Sequence, residues 1–151
     1  MSVQSKLKQK SFRDPAEAAF VGLLFIGGRI FQRLEEVCAS HGLTHTQYNV
    51  LRILRGVYPQ GHPRCEIIDR LLTRAPDVTR LLDRLERQGL VVRSSSQANR
   101  RLSVATITRK GLALLAELDP GIEAVQRETV GKLSQSSQKL LARLCDQMAA
   151  E

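Results

Sequence analysis

The sequence predicts a mainly α chain with a small β-hairpin: a central lobe of short helices and hairpin, with long amphipathic helices at both ends. Three observations predict it. Over much of the 151 residues, apolar side chains recur at i, i+3, i+4 and i+7, the period of a helix with one buried face. Two β-rich runs, residues 90–93 and 102–107, flank a polar segment carrying arginines, the pattern of a hairpin with a basic tip. Asp-Pro, Thr-x-x-Gln and single glycines punctuate the apolar runs where helices should start and stop.

Residues 1–13 carry Lys6, Lys8, Lys10 and Arg13 with no acid and no apolar period, and read as a flexible basic arm. Asp14-Pro15-Ala16-Glu17 opens the first long helix, with Asp14 as N-cap, Pro15 in the first position and Glu17 reaching back to the cap. It should run to about Ser40 and stop before Gly42. Phe20, Leu23, Leu24, Gly27, Ile30, Phe31, Leu34 and Cys38 form a nearly heptad stripe along it, and a stripe that long needs a partner surface. Thr44-x-x-Gln47 is a second capping box, opening a helix with Tyr48, Leu51 and Leu54 inward that ends near Gly56. Residues 57–64 read as a loop, from two prolines and Gly61.

A short helix over residues 66–72 then leads through a tight turn to the best-defined helix of the chain. Pro76 suits its first position, because the missing N–H has no partner there. Val78, Leu81, Leu82 and Leu85 face inward, leaving Asp77, Thr79, Arg80, Asp83, Arg84 and Arg87 outward. Gly89 ends it in the left-handed conformation, with Leu90 folding back onto Leu85. After the hairpin, Thr108 caps a long helix over residues 112–133, which Pro120-Gly121 should kink or briefly break. Ser134 restarts a last helix bearing Leu140, Leu141, Leu144, Cys145 and Met148 on one stripe.

Two helices across a tight turn, followed by a basic hairpin, make a winged helix-turn-helix. The organisation that follows is a basic arm (1–13), a winged lobe (43–111) and a helical region built from both ends (14–42 and 112–151), all in one compact domain. A centre this small cannot easily bury both terminal stripes, whereas pairing two chains buries both, so a homodimer is expected. The formal charge is +8, from 23 Lys and Arg against 15 Asp and Glu, which implies a polyanionic partner. From Arg87 to Ala116 there are Arg87, Arg93, Arg100, Arg101, Arg109 and Lys110 and no acid, a footprint for phosphate. With 4% aromatic residues and no Trp there is no stacking platform for single strands, which favours duplex DNA.

Thr79 and Arg80, in the first turn of the second helix, are placed to reach base edges, and an arginine can grip guanine O6 and N7 together. Thr73, Arg74, Pro76 and Asp77 lie at the entrance to that helix, where phosphate or a thymine methyl comes within reach. Arg84 and Arg87, further along, suit phosphate or a local pairing with Asp83. Arg100 on the hairpin suits the narrow, negative minor groove. A symmetric dimer should read a palindromic operator with half-sites about 10–11 bp apart.

These stretches resemble the multiple antibiotic resistance regulator (MarR) family of winged-helix transcription factors. The matching pieces are Leu43-Thr-His-Thr-Gln47, Asp77-Val-Thr-Arg-Leu-Leu-Asp-Arg-Leu-Glu86, Gly89-Leu-Val-Val-Arg93, the Asn99-Arg-Arg101 tip and Thr108-Arg-Lys-Gly111, in that order over about residues 15–148. The resemblance implies a cytoplasmic homodimer joined through its terminal helices. It also implies regulation by a small, often aromatic or anionic effector, most simply as a repressor released by it. Arg101 is implied to brace the wing against Asp83. One departure stands at the tip: the family usually carries Asp before its two arginines, and Asn99 replaces that charge here.

Other chemistry is thinly supported. No apolar run approaches the roughly 18 residues a spanning helix needs, and the polar N-terminus shows no secretory leader, so no membrane partner is expected. Three widely spaced cysteines fit a reducing compartment rather than a disulfide framework. Cys38 and Cys145 fall on apolar stripes as core residues, while Cys65, beside Arg64 at a helix start, is the thiol best placed for redox chemistry. Cys38, His41 and His45 have spacing that could hold zinc, but Gly42 and the Thr44 cap break the helix between the histidines, so no metal and no required cofactor is expected. No nucleophile elbow, phosphate loop or histidine-backed carboxylate pair points to an enzyme. The alternatives are a thiol- or metal-switched regulator of the same fold, a non-specific architectural DNA-binding protein, and a helical interaction module.

Overall fold

The computed structural model describes residues 2–73, 77–95 and 103–150. Among them the helices are α1 (Val3–Lys6), α2 (Pro15–Ala39), α3 (His45–Arg55), α4 (Arg64–Asp69), α5 (Val78–Arg87), α6 (Arg109–Glu128) and α7 (Gln135–Ala149). The strands are β1 (His62–Pro63), β2 (Val91–Ser95) and β3 (Ser103–Ile107), and a 3-10 turn, Val130–Lys132, precedes α7. The chain divides into two compact units: Glu35–Glu123, and Met1–Leu34 together with Ala124–Glu151.

The Glu35–Glu123 unit holds the core. Thr44 and Gln47 form the expected reciprocal box, with Gln47 N–H donating to Thr44 Oγ1 (3.2 Å) and Thr44 N–H to Gln47 Oε1 (2.9 Å). The α3 helix then buries Val50, Leu51 and Leu54 against Ile67, Leu85, Ile107, Leu115 and Leu118. Three strands form an antiparallel sheet in the order β1-β3-β2, with Val91 opposite Ile107 and Ser95 opposite Ser103.

The first strand corrects the reading of residues 57–64 as loop throughout, since His62 pairs with Ala105 and Pro63 with Val104. Two residues cannot show an alternation, and a proline is admissible on an edge strand, so nothing local announces it. Gly61 makes the pairing possible, because a Cβ there would collide with Ala105 O. Of the kink or brief break expected at Pro120-Gly121, the break does not occur: α6 continues through Pro120. Leu115 and Leu118 before the proline are fully buried and Ile122 after it packs on the same core, so tertiary packing holds the helix together.

The other unit begins with the helical turn α1, capped by the Ser2 side chain, within the segment read as a flexible arm. Asp14 Oδ1 accepts the Glu17 N–H (2.8 Å), as expected of an N-cap, but the Glu17 carboxylate takes the Arg13 N–H rather than that of the cap. Arg33 and Glu128 pair at 3.1 Å within this unit. Its apolar stripes are open: Phe20, Leu23, Leu24, Ile26 and Phe31 on α2, and Leu140, Leu144 and Met148 on α7, are exposed. Cys145, read as a core residue, is exposed with them, because nothing among the described residues covers its stripe.

Candidate nucleic-acid interface

The interface is built on α5. Asp77 is its N-cap rather than a residue of its first turn: the Asp77 carboxylate accepts the Arg80 N–H (3.0 Å), and the helix begins at Val78. It ends as the glycine predicts. Gly89 has φ +72°, the Leu90 N–H reaches Leu85 O (2.9 Å), and the Gly89 N–H reaches Glu86 O (2.8 Å), the paired bonds of a Schellman motif. Val78, Leu82 and Leu85 are buried and Leu81 partly so, which turns Thr79, Arg80, Arg84 and Arg87 to solvent. Packing thus fixes one side of the helix and leaves the other to present donors.

Arg80 projects fully, its side chain 83% exposed, with Nε 3.1 Å from Asp77 Oδ2. Such an exposed pair is weak enough for the guanidinium to exchange onto a base edge. Thr79 Oγ1 lies 3.5 Å from Arg64 Nη1, which brings a further arginine from α4 to the same face. Arg84 makes no ion pair among the described residues, and Arg87 Nε donates to the Asp83 carbonyl (3.3 Å). Arg84, Arg87, Gln47, Gln88 and Gly42 line a hollow of about 360 Å³. Thr73 is exposed after α4. Of the other expected contacts, Arg74, Pro76, Arg100 and Arg101 lie outside the described residues.

Sequence reading missed Arg93. Its Nη2 sits 2.6 Å from Glu86 Oε2 and 2.7 Å from Asp83 Oδ1, Nε adds a bond to Glu86 Oε2 (2.9 Å), and its N–H donates to Glu86 Oε1 (3.1 Å). One guanidinium therefore ties strand β2 to two carboxylates of α5. The Arg93 hydrogen bonds hold the Glu86 carboxyl below its usual range, and Glu86 in turn holds the Arg93 guanidinium more firmly protonated. Asp83, which the family resemblance assigned to Arg101, is thus engaged by Arg93. The clamp also offsets one of the two acid charges beside the arginine-bearing face, which lessens their opposition to phosphate.

Cys65 is exposed and shares a hollow of about 400 Å³ with Arg64, Thr79 and Arg93. Cys38 is fully buried, and burial first, then the nearby Glu35 charge, pushes its thiol up to about 11. Among the described residues no three His, Cys, Asp or Glu side chains stand close enough to hold a metal, Cys38, His41 and His45 included. No helix is long and apolar enough to cross a membrane, again among the described residues.

Comparison with known proteins agrees with this geometry. The sequence profile of the MarR family matches residues 43–103. The chain is similar to the HTH-type transcriptional regulator MhqR of Bacillus subtilis, 33% identical over 110 residues, covering 72% of this chain and 71% of that protein. The crystal structure of a MarR transcription factor from Planctomyces limnophilus is 35% identical, with a TM-score of 0.68 over 90% of this chain and 98% of that one. BpsR of Bordetella bronchiseptica, whose DNA binding is regulated by 6-hydroxynicotinic acid, shares the fold, with a TM-score of 0.79 at 22% identity over 93% of this chain and 99% of that one.

Proposed function

This chain belongs to the MarR family of DNA-binding transcriptional regulators, and from that premise we propose that it acts as a homodimeric repressor on a palindromic operator, released by a small effector. The observation that carries the reading is α5, a helix buried on one side that presents Thr79, Arg80 and Arg84 on the other. Thr79 and Arg80 read base edges. Thr73, Arg74, Pro76 and Arg84 hold phosphate or the groove rim, and Asp77 caps the helix while orienting Arg80. Arg100 enters the minor groove, and Arg101 braces the wing. The open apolar stripes of α2 and α7 support pairing of two copies, which gives the two-fold symmetry a palindrome needs.

An effector acts only through different affinity for the DNA-competent and incompetent arrangements of the two recognition helices. Regulation of BpsR by a small aromatic acid supports that class of effector. A thiol-switched regulator is the second reading, supported by the exposed Cys65 in its arginine-lined hollow.

Selection of bound duplexes from a random pool at fixed salt tests the main reading. We expect an inverted repeat with half-site centres about one helical turn apart. Arg80→Ala should then cost about 1–3 kcal/mol on that repeat and relax one base position. Recovery of unrelated duplexes, with steep salt dependence, would replace the regulator by a DNA-coating protein.

A further inference from the structure

Asn49 is the polar residue that the interface does not explain. It lies on the inward side of α3, 2% exposed, between the buried Tyr48 and Val50. Its Nδ2 is buried and has no partner among the described residues. Its Oδ1 makes one long-range bond, accepting the Leu72 N–H at 3.0 Å. A half-satisfied buried amide is less favourable than a well-packed apolar side chain, because its unpaired donor has lost water without gaining a partner. Stability therefore does not account for an amide at this position.

What the amide holds is informative. The Arg70 and Leu71 N–H groups are still bonded to carbonyls of α4, from Ile67 and Ile68. Leu72 is the first residue whose N–H passes to a group outside that helix. The Leu72 side chain is 66% exposed, so packing does not hold the chain at this point. The next residue is Thr73, and the chain re-enters the described fold at Asp77, the cap of α5.

We propose that Asn49 is a positioning residue for DNA recognition: it pins the turn between the two helices at Leu72 and so sets how Thr73 and the first turn of α5 approach the groove. It acts through the backbone and touches no DNA. The inference rests on the DNA-binding reading above and deepens it.

Two substitutions separate positioning from core packing. Asn49→Leu keeps the branching and the number of heavy atoms but deletes the acceptor, while Asn49→Asp, read at a pH that keeps its buried carboxyl neutral, keeps an acceptor for Leu72. Each is compared with the native chain for affinity to the selected inverted repeat and to a scrambled duplex at the same salt. Thermal unfolding and amide hydrogen exchange at Leu72, Thr73 and residues 78–80 are followed alongside. Asn49→Leu should melt close to the native chain, because removing an orphaned donor offsets the extra bulk of its methyls and the Leu72 N–H can hydrate. It should nevertheless lose about tenfold of its preference for the repeat, the scale of one mismatched base pair, and exchange faster at Leu72 and Thr73. Asn49→Asp should recover the preference. Unchanged preference and unchanged exchange in Asn49→Leu would overturn the proposal, as would a preference that falls only in step with melting temperature. If the native chain itself does not distinguish the two duplexes, the regulator reading fails separately, and exchange at Leu72 alone decides the role of Asn49.

Discussion

The two units of this chain solve the burial of apolar surface in opposite ways. In the Glu35–Glu123 unit, Leu51, Leu54, Leu85, Leu115 and Leu118 are all 0% exposed. In the other unit the comparable side chains stay open, with Phe20 at 62%, Leu24 at 61%, Leu140 at 50% and Met148 at 61%. Both sets follow a clean helical period, so period alone does not say whether a stripe is buried within its own chain. The Glu35–Glu123 unit closes its core with its own residues. The terminal helices carry a surface left open among the described residues, which the proposed pairing of two copies would cover, so recognition and dimerisation should be open to separate disturbance.

The sharpest break of that contrast is charge on the open stripe. Phe20→Glu combined with Leu24→Glu should leave the lobe folded while placing unpaired carboxylates in the proposed dimer contact. An uncompensated buried charge costs about 3–5 kcal/mol, enough to lower association by about a hundredfold or more. Analytical ultracentrifugation should then show monomer at concentrations where the native chain is dimeric, with operator affinity falling in parallel. A variant that stays dimeric would remove the terminal stripes from the interface.

Next in size is truncation of the closed core. Leu85→Ala should lose about 2–5 kcal/mol, because it empties a fully buried site under α5. That loss should be independent of protein concentration, measured by urea unfolding at two widely separated concentrations. Leu140→Ala offers the counterpart: its loss should be full well above the dissociation constant of the proposed dimer and fade on dilution below it, because association is what would cover the side chain. Equal concentration dependence for the two variants would mean that the units do not differ in the way their exposure suggests.

The same contrast explains what could be read from sequence. Chain ends of helices were legible because their chemistry is local: Thr44 with Gln47, Asp14 with Glu17, and Gly89 with Leu90 lie within a few positions of each other. Pairings set by the fold were not. Strand β1 depends on residues some forty positions further on, and Arg93 reaches Asp83 and Glu86 only because the turn at Gly89 brings β2 back alongside α5. Continuity of α6 through Pro120 depends on what Leu118 and Ile122 pack against, which no propensity contains. On the candidate interface, the outward set Thr79, Arg80 and Arg84 followed from the period of α5, whereas the capping place of Asp77 turned on a one-residue shift in where the helix begins.

The smallest expected effect is a pH dependence confined to the lobe. All three histidines, His41, His45 and His62, lie in the Glu35–Glu123 unit, and His45 is buried. Burial lowers its folded-state pKa, with Glu35 opposing and Arg52 adding to the shift. Above the unfolded value, near 6.5, both states are neutral and nothing is gained or lost. Below it the unfolded chain takes up a proton that the folded chain resists, so stability falls as pH drops through this window towards the folded value. Melting temperature should therefore decline from about pH 7 to about pH 5, and His45→Gln should flatten that part of the profile. An unchanged slope in His45→Gln would assign the acid sensitivity elsewhere. The open stripes of the proposed dimer contact carry no histidine, so its dissociation constant should vary less over the same range than the stability of the lobe does.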